Sequence, residues 1–228
     1  MFSPNLSHPK CVNRIAKCRN RMQNAEQIKK EAEILKGGGI DAATSFFEQN
    51  RERLRLFMIH RTNQHLLKRI DWDDVLQETF LVIQKRFHEF VDSPRVPFYV
   101  WMRAMAGQVL IDLHRQHLGA QVRTVHREVS IHSRLPFQST ATSVAGLLAA
   151  SGTSPSRAAI RSEQIETLRA TLDQMNELDR EVLFMRHMEQ MTNGEVADAL
   201  NIKTSTATKR YIRALKKIRS RLGPTPRT

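Results

Sequence analysis

Apolar positions along the chain return every three to four residues, the period of an α-helix, and strand-type alternation is almost absent. A short helix is expected over residues 25–35, broken by Gly37-Gly38-Gly39. From residue 41 the helical spacing is sustained through Phe46, Phe47, Leu54, Phe57 and Met58, then Val75, Leu76, Thr79, Phe80, Ile83 and Phe87. It is interrupted near Ile70-Asp71 and again at residues 92–97, where Pro94 and Pro97 forbid a continuing helix. A third long helix follows from about Phe98 to His117. The span 119–155 loses the period and is rich in Ser, Thr, Gly and Ala, the composition of a linker. Helical spacing returns after Ser156 through Ile160, Leu168, Leu172, Leu178, Val182 and Leu183, and runs to Leu222 before Gly223-Pro224 stops it. The pattern predicts an all-α protein of two small helical domains joined by a flexible linker. Its boundaries fall at 1–40 for a basic N-terminal extension, 41–118 for a helical bundle, 119–159 for the linker and 160–228 for a second helical domain.

Within the second domain, residues 194–200 form a short helix, Asn201-Ile202-Lys203 a three-residue break, and Thr204 opens a longer helix. This is the spacing of a helix-turn-helix. Val196, Ala197, Leu200 and Ile202 would pack the two helices across the turn, with Ala207, Tyr211, Leu215, Ile218 and Leu222 as the apolar stripe of the second. Lys203, Lys209, Arg210, Arg213, Lys216, Lys217, Arg219 and Arg221 occupy the rest of that segment, and no acid interrupts them. A solvated surface helix usually mixes signs, so a one-signed face suits phosphates. Thr204, Ser205, Thr206 and Thr208 crowd the start of the helix, where hydroxyls cap the backbone, bond phosphates or touch base edges.

Charge widens this reading to the whole chain. With 36 Lys+Arg against 23 Asp+Glu the 228 residues carry a formal +13, which calls for a polyanionic partner, nucleic acid before a membrane surface. No apolar run approaches the ~20 residues of a membrane helix and no secretory signal opens the chain, so a cytoplasmic location without membrane insertion is expected. Two cysteines, Cys11 and Cys18, cannot staple a fold of this length, and with His8 they match no common zinc spacing; free thiols and no metal or other cofactor are expected.

Two segments of the first domain narrow the choice. Asp74, Gln77 and Glu78 share a helix face by i, i+3 and i+4 spacing, opposite Val75, Leu76 and Phe80. With Asp71 and Asp73 they form an acidic patch that suits a basic protein surface and would repel DNA. The plainer alternative is a solvated helix start favoured by the dipole. The second segment runs from Pro97 to Arg115 and interleaves aromatic and basic residues, as single-stranded nucleic acid requires: bases lie on rings while cations hold the backbone. Here too a plainer reading stays open, because Trp101, Met105, Val109 and Leu113 step by four and would form a core stripe.

A D-x-x-Q-E helix, then F-x-x-W-M-x-x-M-A running into D-x-x-R, a linker and a C-terminal helix-turn-helix together resemble the bacterial RNA polymerase sigma factors of the sigma-70 family, the short extracytoplasmic-function (ECF) type in particular. The resemblance covers about residues 41–118 and 160–222. It implies a transcription initiation factor, not an enzyme, that binds core RNA polymerase, directs it to minus-10 and minus-35 promoter elements and promotes strand opening. Its partners would be core polymerase and promoter DNA, double-stranded and locally melted, with an anti-sigma factor as a further partner such proteins can have. Asp74, Gln77 and Glu78 would dock on the polymerase clamp. Phe98, Trp101 and Arg103 would lie on the melting helix, the loop 92–97 would hold a flipped base, and His114, Arg115 and His117 would close that helix toward upstream DNA. In the second domain Glu195, Val196, Ala197, Leu200 and Ile202 match the first helix and turn, and Thr204, Ser205, Thr206, Thr208, Lys209, Arg210 and Arg213 would face the minus-35 groove. The chain departs from the family where Thr206-Ala207-Thr208-Lys209 replaces the common Thr-Val-Lys, and residues 1–36 match nothing in the minimal plan.

Two other functions fit parts of the sequence. A stand-alone helix-turn-helix regulator would bind a palindrome without polymerase. A nucleic-acid-processing enzyme would use His114 and His117 with a metal, although no paired carboxylate cluster or phosphate loop accompanies them.

Overall fold

The computed structural model describes the backbone of residues 9–62, 70–117 and 155–222, and the side chains of 25–62, 70–115 and 163–222. The described residues form seven helices and no strand: α1 (Pro9–Arg61), α2 (Trp72–Asp92), α3 (Phe98–His117), α4 (Pro155–Asp173), α5 (Glu177–His187), α6 (Asn193–Ala199) and α7 (Thr204–Leu222). The all-α expectation holds, while the linker expected over 119–159 lies outside the described residues up to 154.

Helices α1, α2 and α3 pack on one another as the first domain, and α4 to α7 form the second around α7. Local chemistry sets the boundaries. Asp71 accepts the backbone N–H of Asp73 at 2.9 Å and caps α2. Pro155 opens α4, where its missing N–H costs nothing, so this helix begins inside the span assigned to the linker. Asn176 caps α5 through the N–H of Leu178. Thr192 and Glu195 close a reciprocal capping box on α6, with bonds of 3.2 and 2.6 Å.

The first boundary needs correcting. Residues 25–40 are not an appendage outside the bundle: Ile28, Ala32 and Leu35 are buried, and Ala32 and Leu35 belong to the main core with Phe98. The break expected at the three glycines falls at Gly39, whose φ of 58° and ψ of −143° are non-helical and lie in a region essentially closed to other residues, so α1 is two helices joined at a kink. The kink turns the N-terminal arm of α1 back onto the bundle.

The two domains touch. Their buried apolar residues form one continuous cluster that includes Leu54, Phe57 and Met58 from the first and Val182, Met185 and Val196 from the second. At the seam the His60 ring stacks on Phe184 with centroids 3.4 Å apart. A smaller cluster of Leu172, Met175, Leu183 and Ala214 lies within the second domain.

Candidate nucleic-acid interface

The turn between α6 and α7 is fixed by backbone chemistry. Asn201 takes a left-handed φ of 51°, which lets the N–H of Ile202 reach the carbonyl of Ala197 at 2.9 Å and that of Asn201 reach Asp198 at 3.2 Å. This paired pattern ends α6 and aims α7, and Asn tolerates the left-handed conformation better than most residues. Ala207, Tyr211, Ala214 and Ile218 hold α7 against the domain. The predicted stripe was partly misplaced: Leu215 and Leu222 are exposed, and Ala214 takes the inward position because a helix returns to one face after seven residues, as from Ala207.

On the outer side of α7, Ser205, Lys209, Ile212, Arg213 and Lys216 are exposed. Other residues expected at a groove are held inward. Arg210 donates to the buried carboxylate of Asp179 at 2.7 Å, and Thr208 accepts from Asn193 while donating to the carbonyl of Thr204. Thr204 and Thr206 are half-buried. Arg213 also reaches Asp179, at 3.3 Å, yet its side chain is 65% exposed and free to turn outward. The exposed set is a positively charged helix face of the width a major groove admits.

The acidic face of α2 stands well apart in character. Asp74, Gln77 and Glu78 are exposed, with Leu81 one turn on, 48% exposed, while Val75, Leu76, Thr79 and Ile83 point inward. Asp73 is engaged with Arg51 of α1 at 3.1 Å.

Helix α3 departs most from expectation. Phe98 and Trp101, expected at a melting surface, lie in the core instead. Phe98 has no exposed surface and meets Phe46 edge-on at 5.7 Å, Phe90 at 4.8 Å and Trp101 in a stack at 5.6 Å. Rings of this size gain more from burial among other rings than from standing in water. The stepped line Trp101, Met105, Val109 is a core stripe. In the loop before α3, Val96 and Pro97 are buried while Asp92, Ser93 and Arg95 are exposed. Arg115 is exposed beside Asp112, His114 is half-buried, and the His117 side chain lies outside the described residues.

Arg103 was expected to face DNA, but it is carried into the seam between the domains. Its Nε donates to Glu189 Oε2 at 2.6 Å, and its Nη2 reaches Glu189 Oε1 at 2.9 Å and Glu181 Oε1 at 3.0 Å. Tyr99 donates to Glu189 at 2.9 Å, Arg61 pairs with Glu181, and Arg53 donates to the Glu189 carbonyl at 2.6 Å. Arg53 also lies 3.7 Å over the Tyr99 ring, and Arg103 4.2 Å over Phe57. The arginines come from the first domain and the carboxylates from the second. Burial opposes the charge on Arg103, yet Glu189 and Glu181 raise its pKa above the usual value. Burial likewise would lift the Glu181 carboxyl, but Arg61 and Arg103 hold it below the usual range. Burial and the Glu189 charge push the Tyr99 phenol well up, and burial, with Arg61 and Arg103, lowers His60 to about 3.

Hydrophobic periodicity missed Arg53, His60, Arg61, Glu181 and Glu189, because it scores a charge as a surface residue. One signal was available: Arg103 is the one charge in the otherwise apolar run from Phe98 to Gly107, and a charge on a buried face requires a partner. Among the described residues no group of three or more His, Cys, Asp or Glu is placed to hold a metal, and no helix is long and apolar enough to cross a membrane.

The helix-turn-helix and the helices before it match a family model, that of sigma-70, region 4, over residues 165–218. Residues 165–218 thus resemble sigma-70 region 4. The match spans the latter part of α4 through most of α7, and the resemblance of the chain to the sigma-70 family, ECF type, rests on it together with the motifs of the first domain. No curated protein matches the sequence to a significant degree. Among solved structures the chain is similar to "Structure of CnrH in complex with the cytosolic domain of CnrY", at 17% identity and a TM-score of 0.45, over 86% of this chain and 95% of that one.

Proposed function

We propose that the protein is a transcription initiation factor that docks on core RNA polymerase and directs it to promoters. The region 4 match at the helix-turn-helix carries this reading. In it, α7 would enter the minus-35 major groove with Ser205, Lys209 and Arg213 foremost, the residues of the expected set that stand outward. Thr204, Thr206, Thr208 and Arg210 would set the helix in place rather than read bases, given their inward bonds. Asp74, Gln77 and Glu78 would form the polymerase-docking face, with Leu81 supplying apolar area at its edge. An acidic face on one domain and a basic face on the other suit a protein that joins a polymerase to DNA, since each would repel the other's partner.

Two promoter elements a couple of helical turns apart are ~70 Å from each other at ~34–36 Å per turn. Domains packed seam to seam do not span that distance, so polymerase would have to spread them, and the free factor should bind promoters poorly. Run-off transcription with purified bacterial core polymerase on genomic fragments, comparing wild type with Gln77→Ala/Glu78→Ala, tests the reading. Promoter-specific transcripts lost in the variant are expected. If no fragment is transcribed while the protein alone shifts a specific duplex at physiological salt, the stand-alone regulator replaces it.

A further inference from the structure

The seam between the domains pairs arginines of one with carboxylates of the other, and that asymmetry is informative. Two faces that stayed together permanently would gain as much from apolar residues, because desolvating ions offsets most of their attraction. Charged faces are the expected choice when each side must also be stable in water, as at interfaces that open. The first-domain side, laid bare, would present Arg53 with the Tyr99 ring beneath it, and Arg61 and Arg103 with the Phe57 ring beneath them. Forked cations bind phosphate with the geometry they use for carboxylate, and rings among cations are where unstacked bases lie. The second-domain side offers Glu181 and Glu189, both almost wholly buried, with Glu195 3.9 Å from Arg53.

We propose that Glu181 and Glu189 act as an internal substitute for nucleic-acid phosphate: the closed chain fills, with its own carboxylates, a single-stranded nucleic-acid site formed by Arg53, Arg61, Arg103, Tyr99 and Phe57. The site takes in residues of α1 that no part of the family resemblance assigns. The proposal rests on the proposed function only in that the domains part during use, and its test needs no polymerase. Opening and strand binding are then one competition, in which a strand favours the open form because it binds that form alone.

The test uses the full-length chain, a fluorescein-labelled oligothymidine read by anisotropy, and the radius of gyration from small-angle X-ray scattering. Glu181→Gln/Glu189→Gln leaves the guanidiniums buried without counter-charge, so the chain should expand and bind the strand on the order of tenfold or more tightly than wild type. Adding Arg53→Gln and Arg61→Gln to that background should remove the gain while the chain stays expanded. An expanded chain with no gain in strand affinity overturns the proposal, as does a gain that survives loss of both arginines, or a Gln variant that neither expands nor binds. Should the Gln variant lose helix content by circular dichroism, wild type decides alone. Excess oligothymidine should then expand it saturably, and binding without expansion refutes the competition. Failure of run-off transcription would leave these outcomes untouched, so the two readings fail separately.

Discussion

Glu31 of the N-terminal arm accepts a hydrogen bond from the backbone N–H of Phe98 at 2.9 Å, and so caps α3 across 67 residues of sequence. The first-turn N–H groups of a helix have no partner within it, and a carboxylate there meets both the orphan donor and the positive end of the dipole. Glu31→Ala is therefore expected to destabilise the protein by about 1–2 kcal/mol, a fall of roughly 2–8 °C in melting temperature by circular dichroism. Glu33→Ala, on the exposed side of the same arm, should shift it by less than about 0.5 kcal/mol.

The three glycines should respond differently to alanine. At Gly37 an added Cβ meets nothing within 4 Å, and the gain in helix propensity should stabilise by up to about 1 kcal/mol. At Gly38 the added carbon would sit 2.7 Å from Cβ of Ala42, and at Gly39 the positive φ would be strained, so both should destabilise. Thermal melts of the three single variants check the order.

Phe98→Ala should cost about 3–5 kcal/mol, the range for truncating a fully buried aromatic residue. Urea denaturation of the free protein, without polymerase or DNA, reads this directly. Unchanged stability would place Phe98 outside the core and restore the melting-surface role.

His60 makes the fold sensitive to mild acid. Its imidazole is lowered to about 3 from 6.5, chiefly by burial, so between those pH values the unfolded chain binds a proton that the folded chain refuses. Stability must fall as pH falls through that window, by about 1.4 kcal/mol per unit. Glu181, held low by its arginines, contributes stability above 4.5 that is lost only below it. Between pH 7.5 and 5, His60→Phe, which keeps a ring against Phe184, should therefore gain about 2 kcal/mol relative to wild type in urea denaturation.

Much of the architecture was legible because helix boundaries are local. The limits of α3 follow from Pro97 and the end of the apolar period, and the turn before α7 from the Asn201-Ile202-Lys203 break. The acidic face of α2 was legible for the same reason, since i, i+4 spacing alone places Glu78 beside Asp74. What failed was non-local. Whether Phe98 faces water or other rings depends on Phe46 and Phe90, tens or single digits of residues away in sequence but joined only by packing. Arg103 carries the same lesson with charge, since its partners Glu181 and Glu189 lie beyond the linker. The break at the glycines was legible, but the place of the arm before it was not, since only the burial of Leu35 shows that the chain turns back onto the bundle there.

Drawn straight, 53 residues of α-helix would make a rod about 80 Å long. The bend at Gly39 makes it a clasp, and a clasp depends on phase as well as length. Each residue inserted or removed between Leu35 and Gly39 rotates everything before it by about 100° around the axis. One such change would swing Glu31 off Phe98 and turn Ala32 and Leu35 out of the core together, so this stretch should tolerate substitution far better than any change in length.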